Sequence, residues 1–345
     1  MNRHGEHTIK EIRQQKDSFA YLRDHIDTVG ETTQKAFAFQ PEQVIFMGCG
    51  SSYYIAATAA IYFQTVTGIP ARHVACYEME LHRKAYIGDK RTLIVPFTRS
   101  GATTEVRSAV TKCLQLPQVK SLSITCDPRT SEYNTYMILC GNTDETSIVM
   151  TSSFTSMTYA AMLVANLVGK KSTDSLLKLP EQAQEYLPMI EEKAKVIAQE
   201  LVDKTFLVCL GQGPAYGIAG ESSIKIKEMC LIPTEIYYSL EYRHGPISIA
   251  SEQGACLFIA DHEVTAEEVS LLKDIKGYGM YLITCAPTPQ PELESLSDQH
   301  FSFGQEPVAM PLLTVPAQYL GTYWAIAKGL NPDTPRNLSK AIVLE

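Results

Sequence analysis

Two groups of polar residues in this 345-residue chain have the types and spacing that chemistry needs. The first is acid–base. Glu221, Lys225 and Glu228 fall at i, i+4 and i+7, so a helix places them on one face. Such stripes are usually solvated ion-pair faces, but Ile224, Ile226 and Met229 flank this one and imply partial burial. Further along, Glu241-Tyr-Arg-His244-Gly-Pro246 sets a histidine on a constrained turn. A lone histidine is more often structural than catalytic, yet a neighbouring carboxylate can tune it toward neutrality. Carboxylate, lysine and histidine together are the equipment of proton transfer.

The second group suits an anion. Gly48-Cys49-Gly50-Ser51-Ser52 follows an apolar run and precedes a run of small and apolar residues that reads as a helix. Glycines permit close backbone approach, and a helix N-terminus favours negative charge. Taken singly the signal is weak, because GxG turns recur in doubly wound folds for packing reasons alone. The dinucleotide fingerprint GxGxxG fails, since Tyr53 stands where the third glycine belongs, and Gly211-Gln-Gly-Pro-Ala-Tyr216 fails likewise; no nicotinamide or flavin is expected. A second loop, Thr98-Arg99-Ser100-Gly101-Ala102-Thr103-Thr104-Glu105, concentrates hydroxyls, a guanidinium and a glycine on one strand-to-helix turn, which suits three phosphate oxygens. For that loop alone, a helix N-cap by Ser100 or Thr103 with a solvated arginine is an equal reading. Two such loops in one domain favour a phosphate cradle. A third patch, Met150-Thr-Ser-Ser-Phe-Thr155, also opens a helix, and capping accounts for most of its hydroxyls.

The elements that must position these residues occur twice. Val44-Ile-Phe-Met-Gly-Cys-Gly and Leu207-Val-Cys-Leu-Gly-Gln-Gly each give a strand, a GxG turn and a helix. Thr92 to Thr98 is echoed by Ala255 to Asp261, and Ser121 to Cys126 by Met280 to Cys285. Near-continuous apolar strands alternating with helices predict parallel sheets covered on both faces. The fold class is therefore α/β, two tandem doubly wound domains. Expected bounds are N-terminal helices over 1–40 packed on the first domain, a first domain over 41–178, a helical linker over 179–204, a second domain over 205–335 and a tail over 336–345.

Composition narrows the function classes. With 45% hydrophobic and 20% charged residues the chain reads as globular, and a net charge of −8 argues against nucleic acid. No apolar run is long enough to span a bilayer, and Met1 to Glu6 lacks a signal-peptide core, so a cytoplasmic protein without membrane partners is expected. Nine scattered cysteines form no CxxC pair and eight histidines no HExxH, so reduced thiols and no metal are expected.

In their order along the chain, these motifs resemble the sugar-isomerase (SIS) family. They are the CGSS turn at Cys49, the Thr98 loop, the Lys225–Glu228 helix, His244-Gly-Pro and the tail Pro335-Arg-Asn-Leu-Ser-Lys340-Ala-Ile-Val-Leu-Glu345. The resemblance is to the isomerase half of glucosamine-6-phosphate synthase and to its stand-alone deaminase and fructosamine-phosphate deglycase relatives, and it runs from Val44 to Glu345. It implies phosphate binding by Ser51, Ser52, Thr98, Arg99, Ser100 and Thr103, and sugar contacts from Thr151 and Ser152. It implies Glu228 as the base that moves a proton between C1 and C2, Lys225 as its partner, and Lys340 as the lysine that meets the open-chain sugar. It also implies that His244 assists ring opening from a neighbouring subunit, so a homodimer or dimer of dimers with shared sites is expected, with no cofactor. Three departures stand out: Arg99 replaces a neutral amide, Ser153 replaces a lysine, and Glu241-Tyr-Arg-His is closer to the deaminases and deglycases. With Asn2 in place of an N-terminal cysteine nucleophile, release of ammonia from glutamine is not expected. The implied activity is amino-sugar phosphate isomerisation and deamination. The alternatives are deglycation of a fructosamine 6-phosphate and, in another class, sensing of a sugar phosphate without turnover.

Overall fold

The computed structural model describes residues 4–143 and 145–344; Asn2 and Glu345, named above, lie outside them. Three helices open the chain: α1 (Glu6–Arg13), α2 (Gln15–Asp24) and α3 (Ile26–Phe37). Strands and helices then alternate through β1 (Gln43–Gly48), α4 (Ser51–Thr67), β2 (Ala71–Ala75), α5 (Cys76–Ile87), β3 (Thr92–Thr98), α6 (Thr104–Cys113), β4 (Val119–Thr125) and β5 (Tyr136–Leu139), followed by α7 (Ser152–Val168) and α8 (Asp174–Leu177). After α9 (Leu179–Glu200) the alternation resumes with β6 (Phe206–Gly211), α10 (Ala215–Cys230), β7 (Thr234–Tyr237), β8 (Gly254–Ile259), α11 (Ala266–Gly277), β9 (Tyr281–Cys285), α12 (Pro291–Leu296), β10 (Gln299–Phe301) and α13 (Met310–Ala327).

The strands form two parallel five-stranded sheets, ordered β2-β1-β3-β4-β5 and β7-β6-β8-β9-β10. Numbered from its own first strand, each sheet has the order 2-1-3-4-5. Every residue of β1, β3 and β8 is buried, as strands covered on both faces must be. The repeated segments β1 and β6, β3 and β8, and β4 and β9 occupy equivalent places. Both GxG turns use their first glycine alike. A Cβ on Gly48 would stand 2.3 Å from the Ser52 carbonyl, and one on Gly211 2.6 Å from that of Ala215. Each glycine thus lets a helix start directly against the end of its strand. Gly50 (φ 55°) and Gly213 (φ 49°) then make the left-handed step that turns strand into helix.

Two compact units contain one sheet each. The unit around the first sheet comprises Gln14–Glu145, Met150–Pro180 and Asn337–Glu345. The unit around the second comprises Met1–Arg13, Thr146–Val149 and Glu181–Arg336. The helices expected to pack together on the first domain therefore divide. α2 and α3 pack on α7, but α1 packs on α13. Its fixings explain why: Thr8 donates through its N–H and its Oγ1 to Asp333, each at 2.8 Å, and Arg13 pairs with Glu191 at 2.6 Å. The buried Glu11 carboxylate accepts from the Ser147 N–H at 3.0 Å.

Candidate functional site

In the first-sheet unit the strand order reverses between β1 and β3, which is where doubly wound folds place ligands, outside the carboxyl ends of the strands. Met47 pairs with Pro96, so the GCGSS turn and the 98–103 loop leave neighbouring strands side by side. The GCGSS turn is partly used by its own backbone. The Ser52 N–H donates to the Cys49 carbonyl at 3.1 Å and the Tyr53 N–H to the Gly50 carbonyl at 3.0 Å. Ser51 and Ser52 are buried.

The 98–103 loop is braced from within. The Gly101 N–H donates to Thr98 Oγ1 at 3.1 Å and the Ala102 N–H to Ser100 Oγ at 3.2 Å. Gly101 supplies the positive φ, 64°, that this bend requires. Thr103 occupies the N-cap position of α6, but its side chain makes no capping bond. Arg99 turns inward to Glu145, whose carboxylate is fully buried, at 3.2 Å, and donates to the Lys340 carbonyl at 2.8 Å. The Lys340 ammonium donates to the Glu145 carbonyl.

Glu145 is the hub that sequence reasoning left without a role. Its Oε1 accepts from the N–H groups of Thr151 at 2.8 Å and Ser153 at 3.0 Å, and from the hydroxyls of Thr151 at 3.1 Å and Ser152 at 3.2 Å. Its Oε2 accepts from Ser153 Oγ at 2.6 Å. A carboxylate thus caps the start of α7 and meets its positive end. Thr151 and Ser152 are completely buried and give their hydroxyls to Glu145, so the third patch in this structure is capping chemistry. The signal was an acidic residue just ahead of a hydroxyl-rich helix start; nothing local tied it to Arg99 or to the tail.

Arg99, Ser100 and Lys340 line one cavity of about 610 Å³ at the carboxyl ends of β3, β4 and β5. Asp127, Arg129 and Thr143 line it too. Arg129 hydrogen-bonds Asp127 and holds its carboxyl below the usual range. The tail lies along the same loop: the Thr104 N–H donates to the Ile342 carbonyl at 3.1 Å, and the Leu344 N–H to Thr104 Oγ1 at 3.0 Å. The main chain of the tail thus meets the first turn of α6.

The acid–base residues lie in the second-sheet unit. On α10, Lys225 is 1% exposed and pairs with Glu228 at 2.6 Å and with the fully buried Glu221 at 3.6 Å. Glu228 alone of the three keeps a partly exposed side chain, at 19%. A buried lysine thus fixes a carboxylate that still reaches solvent. His244 is exposed, in the turn between 3₁₀ segments Leu240–Arg243 and Pro246–Ile249.

This unit's counterpart of the 98–103 loop has the opposite character. A capping box of Thr265 and Glu268 starts α11, and His262 sits between Asp261 at 2.8 Å and Glu268 at 3.0 Å. Burial works to lower the His262 pKa, and its bonds to the two carboxylates outweigh this and raise it. The adjoining cavity of about 450 Å³ is lined by Asp261, Glu263 and Glu292, a poor setting for phosphate. Among the described residues no group of three or more His, Cys, Asp or Glu could hold a metal ion, and no helix is long and apolar enough to cross a membrane.

The SIS domain model matches residues 39–167. Glutamine–fructose-6-phosphate aminotransferase (isomerizing) of Salmonella typhi is 24% identical over 319 residues, covering 88% of this chain. The chain spans about half the length of the curated relatives it matches, 52% in that case. Among solved structures, glucosamine-6-phosphate deaminase of Thermotoga maritima is 27% identical, with a TM-score of 0.80 over 98% of this chain and 99% of that one. Tagatose-6-phosphate ketose/aldose isomerase of Escherichia coli shares the fold, with a TM-score of 0.83 over 99% and 97% at 20% identity. Residues 39–167 are accordingly a SIS domain, in a chain homologous to the glutamine–fructose-6-phosphate aminotransferases.

Proposed function

We propose that the protein is a phosphosugar isomerase that acts on an amino-sugar phosphate, converting a hexosamine 6-phosphate to a ketose phosphate and ammonia. The observation that carries this reading is the cavity of about 610 Å³ in which Arg99, Ser100 and Lys340 meet. It pairs a guanidinium and a hydroxyl suited to phosphate with an ammonium suited to a carbonyl. The relatedness to a stand-alone deaminase along almost its whole length supports the choice of substrate.

The chemistry follows from the side chains. With the sugar opened, the C2 hydrogen beside the C1 aldehyde is acidic. Glu228 removes it and returns it at C1, leaving a C2 imine that water hydrolyses to the ketose and ammonia. Lys225 orients Glu228, Lys340 offsets charge developing at the C1 oxygen, and His244 assists ring opening. Thr98, Arg99, Ser100 and Thr103 hold the phosphate, with Ser51 and Ser52 at the adjoining turn. The protein is placed with glucosamine 6-phosphate in deuterium oxide, and ammonia and ketose phosphate are measured. Ammonia release with deuterium at C1 of the ketose, both abolished in Glu228→Gln, is the expected result. Binding without turnover would make the protein a sensor. Amine release from fructoselysine 6-phosphate but not from glucosamine 6-phosphate would make it a deglycase.

A further inference from the structure

We propose that Cys49 and Cys76 form an oxidisable dithiol, a modification site at the GCGSS turn that closes to a disulfide under a peroxide. The geometry comes from the sheet. β1 and β2 are parallel with Gly48 opposite Ala75, so Cys49 and Cys76 follow one step beyond the last registered pair. Neighbouring strands lie about 4.8 Å apart, inside the roughly 4.4–6.8 Å between Cα atoms that a disulfide tolerates. The two side chains share one core cluster, Cys76 within it and Cys49 packed at its margin. Their environments divide the labour. Cys49 is partly exposed, and a hydrogen bond from the Cys76 thiol lowers its pKa. Cys76 is buried, and that bond together with burial raises its pKa well above the usual value. Glu105 opposes ionisation at both. Cys49 is thus the attacking sulfur and Cys76 the resolving one.

The reaction balances with hydrogen peroxide as the oxidant. The Cys49 thiolate attacks one peroxide oxygen, the O–O bond breaks, and Cys49 sulfenic acid forms with loss of water after proton uptake. The Cys76 sulfur then attacks the Cys49 sulfur, the S–S bond forms, the S–O bond breaks, and a second water leaves. Two thiols and one peroxide give one disulfide and two waters. The bridge tethers the turn that carries Ser51 and Ser52 to the start of α5, so it acts at the candidate phosphate site whichever sugar is used.

The test treats the intact protein with stoichiometric hydrogen peroxide, blocks remaining thiols with iodoacetamide and maps peptides without reduction. Two of the nine thiols should be lost in a linked Cys49–Cys76 peptide and return with dithiothreitol. In Cys76→Ser, Cys49 should accumulate as a sulfenic acid captured by dimedone. In Cys49→Ser, Cys76 should stay reduced, reacting at least about tenfold more slowly. A Cys49 oxidised to sulfinic acid in wild type with Cys76 free would overturn the proposal. So would an equally reactive Cys76 in Cys49→Ser, or bridging of Cys49 to Cys113 instead.

Discussion

Replacing Glu145 by glutamine isolates what its charge does. The side chain keeps its shape, and the amide oxygen can still accept from Thr151, Ser152 and the Ser153 N–H, as Oε1 does now. The amide nitrogen, however, replaces the oxygen that faces Arg99 at 3.2 Å and Ser153 Oγ at 2.6 Å. Ser153 can reverse its hydroxyl and accept, but Arg99 has only donors and loses this one acceptor. Hydrogen bonds to charged groups contribute about 1.5–3 kcal/mol, and unpairing one member of a buried pair costs about 3–5 kcal/mol. Arg99 keeps 13% of its side chain exposed and also donates to the Lys340 carbonyl, which softens the loss. We expect Glu145→Gln to destabilise the unit by about 2–3 kcal/mol, and Glu145→Ala, which also uncaps α7, by about 3–5 kcal/mol. A loosened Arg99 should raise KM for the sugar phosphate about tenfold, the equivalent of ~1.4 kcal/mol, while kcat changes far less. Urea unfolding and steady-state kinetics measure both quantities, and a double-mutant cycle with Arg99→Ala separates them from general damage. If the single effects add to within about 0.5 kcal/mol, Arg99 and Glu145 do not act as a unit.

Ser100→Ala with Thr103→Ala should raise KM with kcat little changed, because phosphate is gripped alike in ground and transition states; collapse of kcat at constant KM would show the loop to be misassigned. Inactive His244→Ala and Glu228→Gln proteins, mixed and allowed to exchange subunits, should regain part of the wild-type activity; a fully active monomer at working concentration would exclude the shared site. Burial works to raise the Glu191 pKa, but bonds from Arg13 and Tyr323 prevail and hold it at about 2. A carboxyl held low stabilises the fold above its ordinary value near 4.5 and loses that contribution as pH falls through about 2. With Arg13 58% exposed, the contribution is about 1–2 kcal/mol, so urea midpoints should fall between pH 5 and pH 2.5 in wild type and fall less in Arg13→Gln.

The parts of this molecule that were legible in the sequence are those set by local pattern. The runs Val44 to Gly48 and Leu207 to Gly211 announced strands buried on both faces, and the paired GxG turns announced helices starting hard against them. The i, i+4, i+7 spacing of Glu221, Lys225 and Glu228 correctly placed them on one helix face, with burial supplied by the flanking apolar residues. What escaped depends on partners distant in sequence. The spacing of Ile9 and Ile12 shows that α1 has a face to bury but not what it faces, and the answer lies in Asp333 and Glu191. Glu145 reads locally as a cap for α7; its ties to Arg99 and Lys340 cross 46 and 195 residues.

The two sheets share strand order and glycine usage, but the loops and helices that follow their strands differ. After the third element of the first sheet, the turn offers Arg99, Ser100 and Thr103 at the start of a helix whose N-cap side chain is left out of capping. After the equivalent strand β8, Thr265 and Glu268 cap each other and Asp261, His262 and Glu263 crowd the opening. A reciprocal capping box uses up donors at a helix start that an anion would need, and carboxylates there repel it. The helices after the GxG turns diverge in the other direction: α4 is small and apolar, whereas α10 buries Lys225 between two carboxylates. Burying that lysine is costly unless it is paired, and the pairing leaves Glu228 as the carboxylate with an exposed edge. The two sheets thus keep one strand order, and the residues around them differ: Arg99 and Ser100 line the cavity beside the first, and Lys225 is buried between Glu221 and Glu228 beside the second.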